Sequence, residues 1–147
     1  MSPINVTRSI NAPIHVVFRT VAHIEEFSRA IPHIVNIEFL TEQQTGVGTR
    51  FRETRLMQGK EAITELEVTE YVSNEHVRIV ADSHGAVWDT VFRVSSGGGP
   101  TELTMAMESR PYKLAAKMMN AVIGGMIRKA VEKDMDLVQA YCENGNA

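Results

Sequence analysis

From Pro111 to about Cys142 the chain runs without a further proline, and apolar residues return at helical spacing: Leu114, Ala115, Met118, Met119, Val122, Ile123, Met126, Ile127, Ala130, Val131, Met135 and Val138. A three-to-four spacing held for roughly eight turns predicts one long amphipathic helix. Almost everything before it, apart from a short stretch at 13–30, reads as strands. The expectation is therefore an α+β chain with a helix-grip arrangement. A curved antiparallel sheet of about seven strands would wrap around the long C-terminal helix, with two short helices after the first strand. Such layers can leave a cavity between them.

The chain has 147 residues, which suits one domain over 1–147. Its formal charge of −3 gives no electrostatic case for nucleic acid. No segment approaches the run of apolar residues that a membrane span needs, so stable membrane insertion is not expected. The N-terminus lacks a basic run followed by an apolar core, and Cys142 is the single cysteine. No internal disulfide or cysteine zinc site follows from one thiol, and a cytoplasmic protein is the expectation. Eight Met against one Trp stand out. Methionine is flexible and polarizable, which suits either core filling or an adaptable pocket.

Ile4, Val6 and Ile10 alternate with polar residues in a first strand, which Asn11-Ala12-Pro13 ends. Pro13 suits a first helical turn, with Asn11 or Ala12 as cap. A second short helix over 24–30 would stop at Pro32, and a strand follows from Ile34 to Thr41. Gln58-Gly59 predicts a two-residue hairpin turn. It sets Arg52 opposite Glu65 and Arg50 opposite Glu67 on one face, and Phe51 opposite Leu66 on the other. Charge pairing and apolar pairing agree on the register, and a one-residue slip would destroy both. The same register turns Glu53 and Arg55 toward the Phe51 side, with Thr64 and Ala62 opposite them. Buried charges are costly unless paired, so the two mark either a polar patch in a cavity or a rim where both reach solvent. A turn at His84-Gly85 and a loop at Ser95–Pro100 carry the pattern onward. They place Trp88, Thr90, Phe92, Leu103, Met105, Met107 and Ser109 on the inner face. Met118, Met119, Val122, Met126 and Ile127 of the helix are expected against them. Gly124-Gly125 would serve close backbone approach, a bend or room for a ligand.

The order of elements, with Ser9-Ile10-Asn11-Ala12-Pro13, Val17-Phe18, Gly46–Arg55 and Asp82–Gly85, resembles the START-like or Bet v 1-like superfamily. The likeness is to its polyketide cyclase/dehydrase and lipid-transport group. It implies the helix-grip fold over an apolar cavity, and members that bind lipids, sterols, quinones or polyketides. Those members share no catalytic motif, so the resemblance assigns no catalytic residue, and fold alone names no reaction.

Chemical motifs are sparse. Of the five histidines, His15 and His23 are expected on or near the first helix and solvated, His33 in a loop, and His76 at a strand start. His84 is expected near a cavity mouth. Asp82-Ser83-His84 makes a poor relay, because neighbours in a strand point to opposite sides. No metal motif, P-loop or dinucleotide fingerprint is present, and no cofactor is expected. Two functions stand beside each other. In the first, an apolar ligand binds against Phe51, Trp88, Phe92, Met105, Met107, Met118, Met119, Val122 and Met126. Glu53 and Arg55 would orient its polar end, with Thr64 and Thr90 alongside. In the second, a cyclase or dehydratase uses Glu53 as acid or base, though the sequence offers it no second acid/base partner. A third reading is a collapsed cavity and a self-associating surface, marked by apolar residues outside the helix's main stripe; a homodimer is left open.

Overall fold

The computed structural model of the protein describes residues 2–145. The chain runs β1 (Ile4–Ile10), α1 (Ile14–Ala22), α2 (Ile24–Ala30), β2 (Ile34–Phe39), β3 (Arg50–Met57), β4 (Lys60–Val72), β5 (His76–Ser83), β6 (Ala86–Ser96), β7 (Thr101–Pro111) and α3 (Leu114–Glu143). The seven strands form one antiparallel sheet in the order β1-β7-β6-β5-β4-β3-β2. Every neighbouring pair except β1–β7 is consecutive in sequence, so short turns build most of the sheet.

The turn chemistry carries the register. Gln58 and Gly59 have φ of 53° and 79°, and His84 and Gly85 have 54° and 79°. Positive φ at both central residues is the hairpin turn whose twist matches the strands. Arg52 then lies opposite Glu65, Arg50 opposite Glu67 and Phe51 opposite Leu66. Ala81 pairs with Trp88, and Phe92 with Met105. The outer face carries the charge ladders: Arg52 bridges Glu38 at 3.1 Å and Glu65 at 2.8 Å. Arg78 clasps Asp89 through two nitrogens. That hydrogen bonding holds the Asp89 carboxyl below the ordinary carboxylate range.

Helix α1 departs from expectation at its start. Pro13 itself is the N-cap, and no side chain caps the helix. Asn11 instead donates its backbone N–H to Glu143 Oε2 at 2.8 Å, tying the end of α3 to the β1–α1 junction. Arg8 to Asp136 at 2.7 Å and Gln139 to Ser9 O at 3.0 Å extend this strap. Between α1 and α2, His23 adopts an extended conformation that ends one helix and begins the next. Its ring is half-buried rather than solvated, and its Nε2 lies 2.9 Å from Tyr71 Oη. Burial, aided by Arg19, pushes the His23 imidazolium pKa below its ordinary value, against a smaller opposing pull from Glu26 and Glu25. A histidine with a lowered folded pKa binds fewer protons than the unfolded chain, so stability falls as pH drops from about 6.5. His23→Gln is expected to flatten that part of a urea-midpoint profile; an unchanged slope would assign the acid sensitivity elsewhere.

The core lies between sheet and helices. Val131, Met135, Val138 and Cys142 from the second half of α3 are buried with Ile4, Val6 and Ile10 of β1 and Val17, Phe18 and Val21 of α1. The first half of α3 behaves differently. Asn120 is its one buried residue, and it accepts a hydrogen bond from Ser109 at 3.0 Å. A Cβ added at Gly125 would meet nothing within 4 Å. Close approach therefore does not account for this glycine. Gly125→Ala is expected to stabilise the fold by about 1 kcal/mol, read from the denaturation midpoint; a loss would show that the helix needs glycine's freedom there. Among the described residues no helix is long and apolar enough to cross a membrane.

Candidate functional site

Alternation along the strands gathers one side of the sheet around a hollow of about 360 Å³. Strand β3 contributes Phe51, Glu53, Arg55 and Met57; β4 contributes Ala62, Thr64, Leu66 and Val68; β5 contributes Ile79, Ala81 and Ser83. Trp88, Thr90 and Phe92 come from β6, and Met105 and Met107 from β7. Each set steps by two, as side chains on one face of a pleated strand must. Val21, Ala22, Ile24 and Phe27 of the short helices roof one part, and Ile127, Ala130, Val131 and Asp134 of α3 roof the rest.

The helix contribution corrects the sequence reading. Met118, Met119, Val122 and Met126 do not line the hollow; they are exposed, at 56–75% of their full accessibility. The buried positions of the second half, Val131, Asp134, Met135 and Val138, set the phase of the helix. Traced back by threes and fours, that phase turns Ile127, Ile123 and Asn120 toward the sheet. The methionines therefore sit on the opposite side.

Glu53 and Arg55 face the hollow. Two residues apart on one strand, they meet directly: Arg55 Nε donates to Glu53 Oε1 at 2.6 Å. The guanidinium also donates through Nη1 to Asp134 Oδ2 at 2.8 Å, reaching across from β3 to α3. His33 joins them, its Nε2 lying 3.3 Å from Arg55 Nη1 and 3.4 Å from Asp134 Oδ1. A neutral His33 accepts from Arg55, whereas a protonated one pairs with Asp134. Burial alone would lower the Arg55 pKa, but the charges of Glu53 and Asp134 and their hydrogen bonds outweigh it, and the net shift is upward. The guanidinium stays charged and is shared by two carboxylates. Sequence reasoning missed Asp134 and His33. A lone Asp amid the apolar positions of a helix was the available signal for the first.

Two other groups complete the wall. Thr49 Oγ1 is buried without a hydrogen-bond partner among the described residues, and it lines the hollow with Gln44 and Thr45. It stands roughly 13 Å from Glu53 along the extended chain. His84 lines the hollow at another edge, and its Nδ1 lies 2.7 Å from Ser83 Oγ. The left-handed turn at His84 permits this contact between neighbours, which an extended strand would forbid. Asp82 takes no part, since it accepts from Tyr112 Oη at 2.6 Å. No Ser-His-Asp relay forms.

The family model for polyketide cyclase / dehydrase and lipid transport matches residues 1–143. The chain belongs to that family. The solved structures similar to this family member show the same fold. TTHA0849 from Thermus thermophilus is 14% identical, with a TM-score of 0.79 over 99% of this chain and 100% of that one. Ginseng major latex-like protein 151 from Panax ginseng is 10% identical, with a TM-score of 0.70 over 92% and 96%. The di-domain ARO/CYC StfQ from the steffimycin biosynthetic pathway is 8% identical, with a TM-score of 0.78 over 98% of this chain and 51% of its own. With Ara h 8.0201 also similar, at a TM-score of 0.74 and 13% identity, the architecture is the Bet v 1-like helix grip. At these identities the likeness is one of fold. No curated protein sequence matches the chain.

Proposed function

We propose that this family member binds an apolar small molecule that carries a hydrogen-bond-donating polar end, such as a phenol or an enolised polyketide. The observation that carries the reading is an apolar hollow ending in two carboxylates that share one guanidinium. Arg55 has committed its Nε and Nη1 to protein acceptors. With two carboxylates to one guanidinium the cluster is net negative, and the free carboxylate oxygens accept; the Arg55 Nη2 N–H groups have no acceptor among the described residues. An alkyl carboxylate or a phosphate would meet like charge there, whereas a hydroxyl donates into it. The volume lies near the lower end of the roughly 300–1,000 Å³ usual for small-molecule sites. Thr49 offers a second polar contact at the far end of the hollow.

Titration calorimetry with naphthol and with laurate tests this assignment. Naphthol is expected to bind, laurate to bind at least about tenfold more weakly, and Glu53→Gln to narrow the difference. Equal binding of the two probes sinks the head-group assignment. Native mass spectrometry of protein purified from its own host would then identify any guest directly.

A second reading has its own observation. Asp134 and His33 supply the acid/base partners that Glu53 lacks in sequence, and all stand around one guanidinium. In a dehydratase, Glu53 would take the proton from the carbon beside the substrate carbonyl and give it to the departing hydroxyl, which leaves as water, while Asp134 and His33 hold the Arg55 guanidinium beside it. Turnover of a polyketide thioester that Asp134→Asn abolishes with binding intact would establish it; no turnover by the unmodified protein rejects it.

A further inference from the structure

The first half of α3 presents an apolar face that no described part of the chain covers. Leu114, Met118, Val122 and Met126 recur at intervals of four, and each is more than half exposed. They therefore form one stripe, facing away from the side where Asn120 meets Ser109 of the sheet. Core packing accounts for the second half of α3 and leaves this stripe unexplained. Exposed apolar patches of this kind mark interaction sites.

Along the chain segment that carries the stripe the charge has one sign, although Arg110 pairs with Asp89 and Glu108 and acidic Glu132 and Asp136 follow on the helix. From Arg110 through Val131 the sequence holds Arg110, Lys113, Lys117, Arg128 and Lys129 and no acidic residue, although the whole chain carries −3. Lys113, Lys117, Arg128 and Lys129 are exposed. Arg128 pairs with Glu132 at 3.3 Å, and the three lysines have no carboxylate within ion-pair distance among the described residues. Leu56 and Met57, also exposed, stand beside the β3–β4 turn, at the same end of the sheet as the start of α3.

We propose that this face docks on an anionic lipid surface, with α3 lying in the plane of the interface. Met118, Val122 and their neighbours would enter the acyl boundary while the lysines extend to the headgroup phosphates. A second copy of the chain fits less well. Antiparallel pairing through the stripe brings Lys113 and Lys117 of one copy against Arg128 and Lys129 of the other. Parallel pairing sets each cation against itself, so like charges meet either way. The docked face adjoins the rim of the hollow, because Met57, at the same end as the start of α3, also lines it. The surface assignment does not depend on which guest the hollow takes.

Co-sedimentation with phosphatidylcholine–phosphatidylglycerol vesicles, against phosphatidylcholine alone, tests the proposal. The protein is expected to pellet with the anionic vesicles and to be released by salt. The pair Met118→Glu and Val122→Glu is expected to weaken binding at least about tenfold. Lys117→Glu and Lys129→Glu are expected to cost about fivefold or more each. All four positions are exposed, so far-UV circular dichroism should stay unchanged. Protein that remains in the supernatant at low salt, or that binds both vesicle types equally, overturns the assignment. So does a dimer, seen by light scattering, that Val122→Glu splits without any vesicle binding: the face would then belong to a second copy.

Discussion

Arg55→Leu is expected to cost the fold about 3–5 kcal/mol at neutral pH, the usual result of removing one partner from a buried ion cluster. The geometry explains the size. Glu53 and Asp134 reach the same guanidinium from a strand and from a helix, and each side chain is about 11% exposed. Without Arg55 they become like charges in one poorly hydrated corner. The variant's remedy is for one carboxyl to take up a proton, which couples its stability to pH. A group that binds a proton more readily folded than unfolded adds stability in acid and loses it as pH rises. The deficit of Arg55→Leu should therefore be smaller near pH 5 than at pH 7.5, in urea denaturation at both. Adding Glu53→Gln should restore part of the loss at pH 7.5. A deficit that ignores pH and is not relieved by Glu53→Gln would show that Arg55 acts through its aliphatic stem alone.

Thr90→Phe is expected to abolish uptake of the naphthol probe while leaving the fold at least as stable. Thr90 lies on the cavity wall between Ile79 and Met107, three strands from the Glu53–Arg55 pair. An aromatic ring suits a strand, and here it has empty space to enter instead of packed neighbours to displace. Filling the hollow buries ring surface that would otherwise be a guest's contact, so affinity should drop by well over tenfold. The melting temperature should hold or rise. Unchanged naphthol affinity in a folded Thr90→Phe protein would place the guest outside the hollow and remove the binding proposal.

The sheet was largely legible in the sequence because its turns are local. Gln58-Gly59 and His84-Gly85 each fix a register by residue type, and one inner face follows by counting in twos. The polar cluster was half legible for the same reason: Glu53 and Arg55 share a strand. Asp134 lies 79 residues from Arg55 in sequence, and its partnership depends on the rotational phase of a helix. The phase was misread because α3 has apolar residues on two sides along its first half. The series Met118, Val122 and Met126 looked like the core stripe. Asn120, which is buried, carries no apolar signal in the sequence. The polar residue with a partner faced inward, and the apolar ones faced out. Only the densely buried second half, from Val131 onward, determines which stripe belongs to the sheet.

At the β5–β6 turn, Tyr112 and Lys113 both donate backbone N–H groups to Gly85 O, at 2.9 and 3.2 Å, and a Cβ on Gly85 would strike the Lys113 side chain at 2.8 Å. That knot makes the hairpin tip and the root of the helix a single latch. The neighbouring tip at Gly59 has nothing within 4 Å of its own missing Cβ. Breathing at this end of the molecule must then be lopsided, with the Met57 flank as the doorway and the His84 flank as the hinge post. Amide exchange should accordingly run faster at Gly59 and Lys60 than at Tyr112 and Lys113.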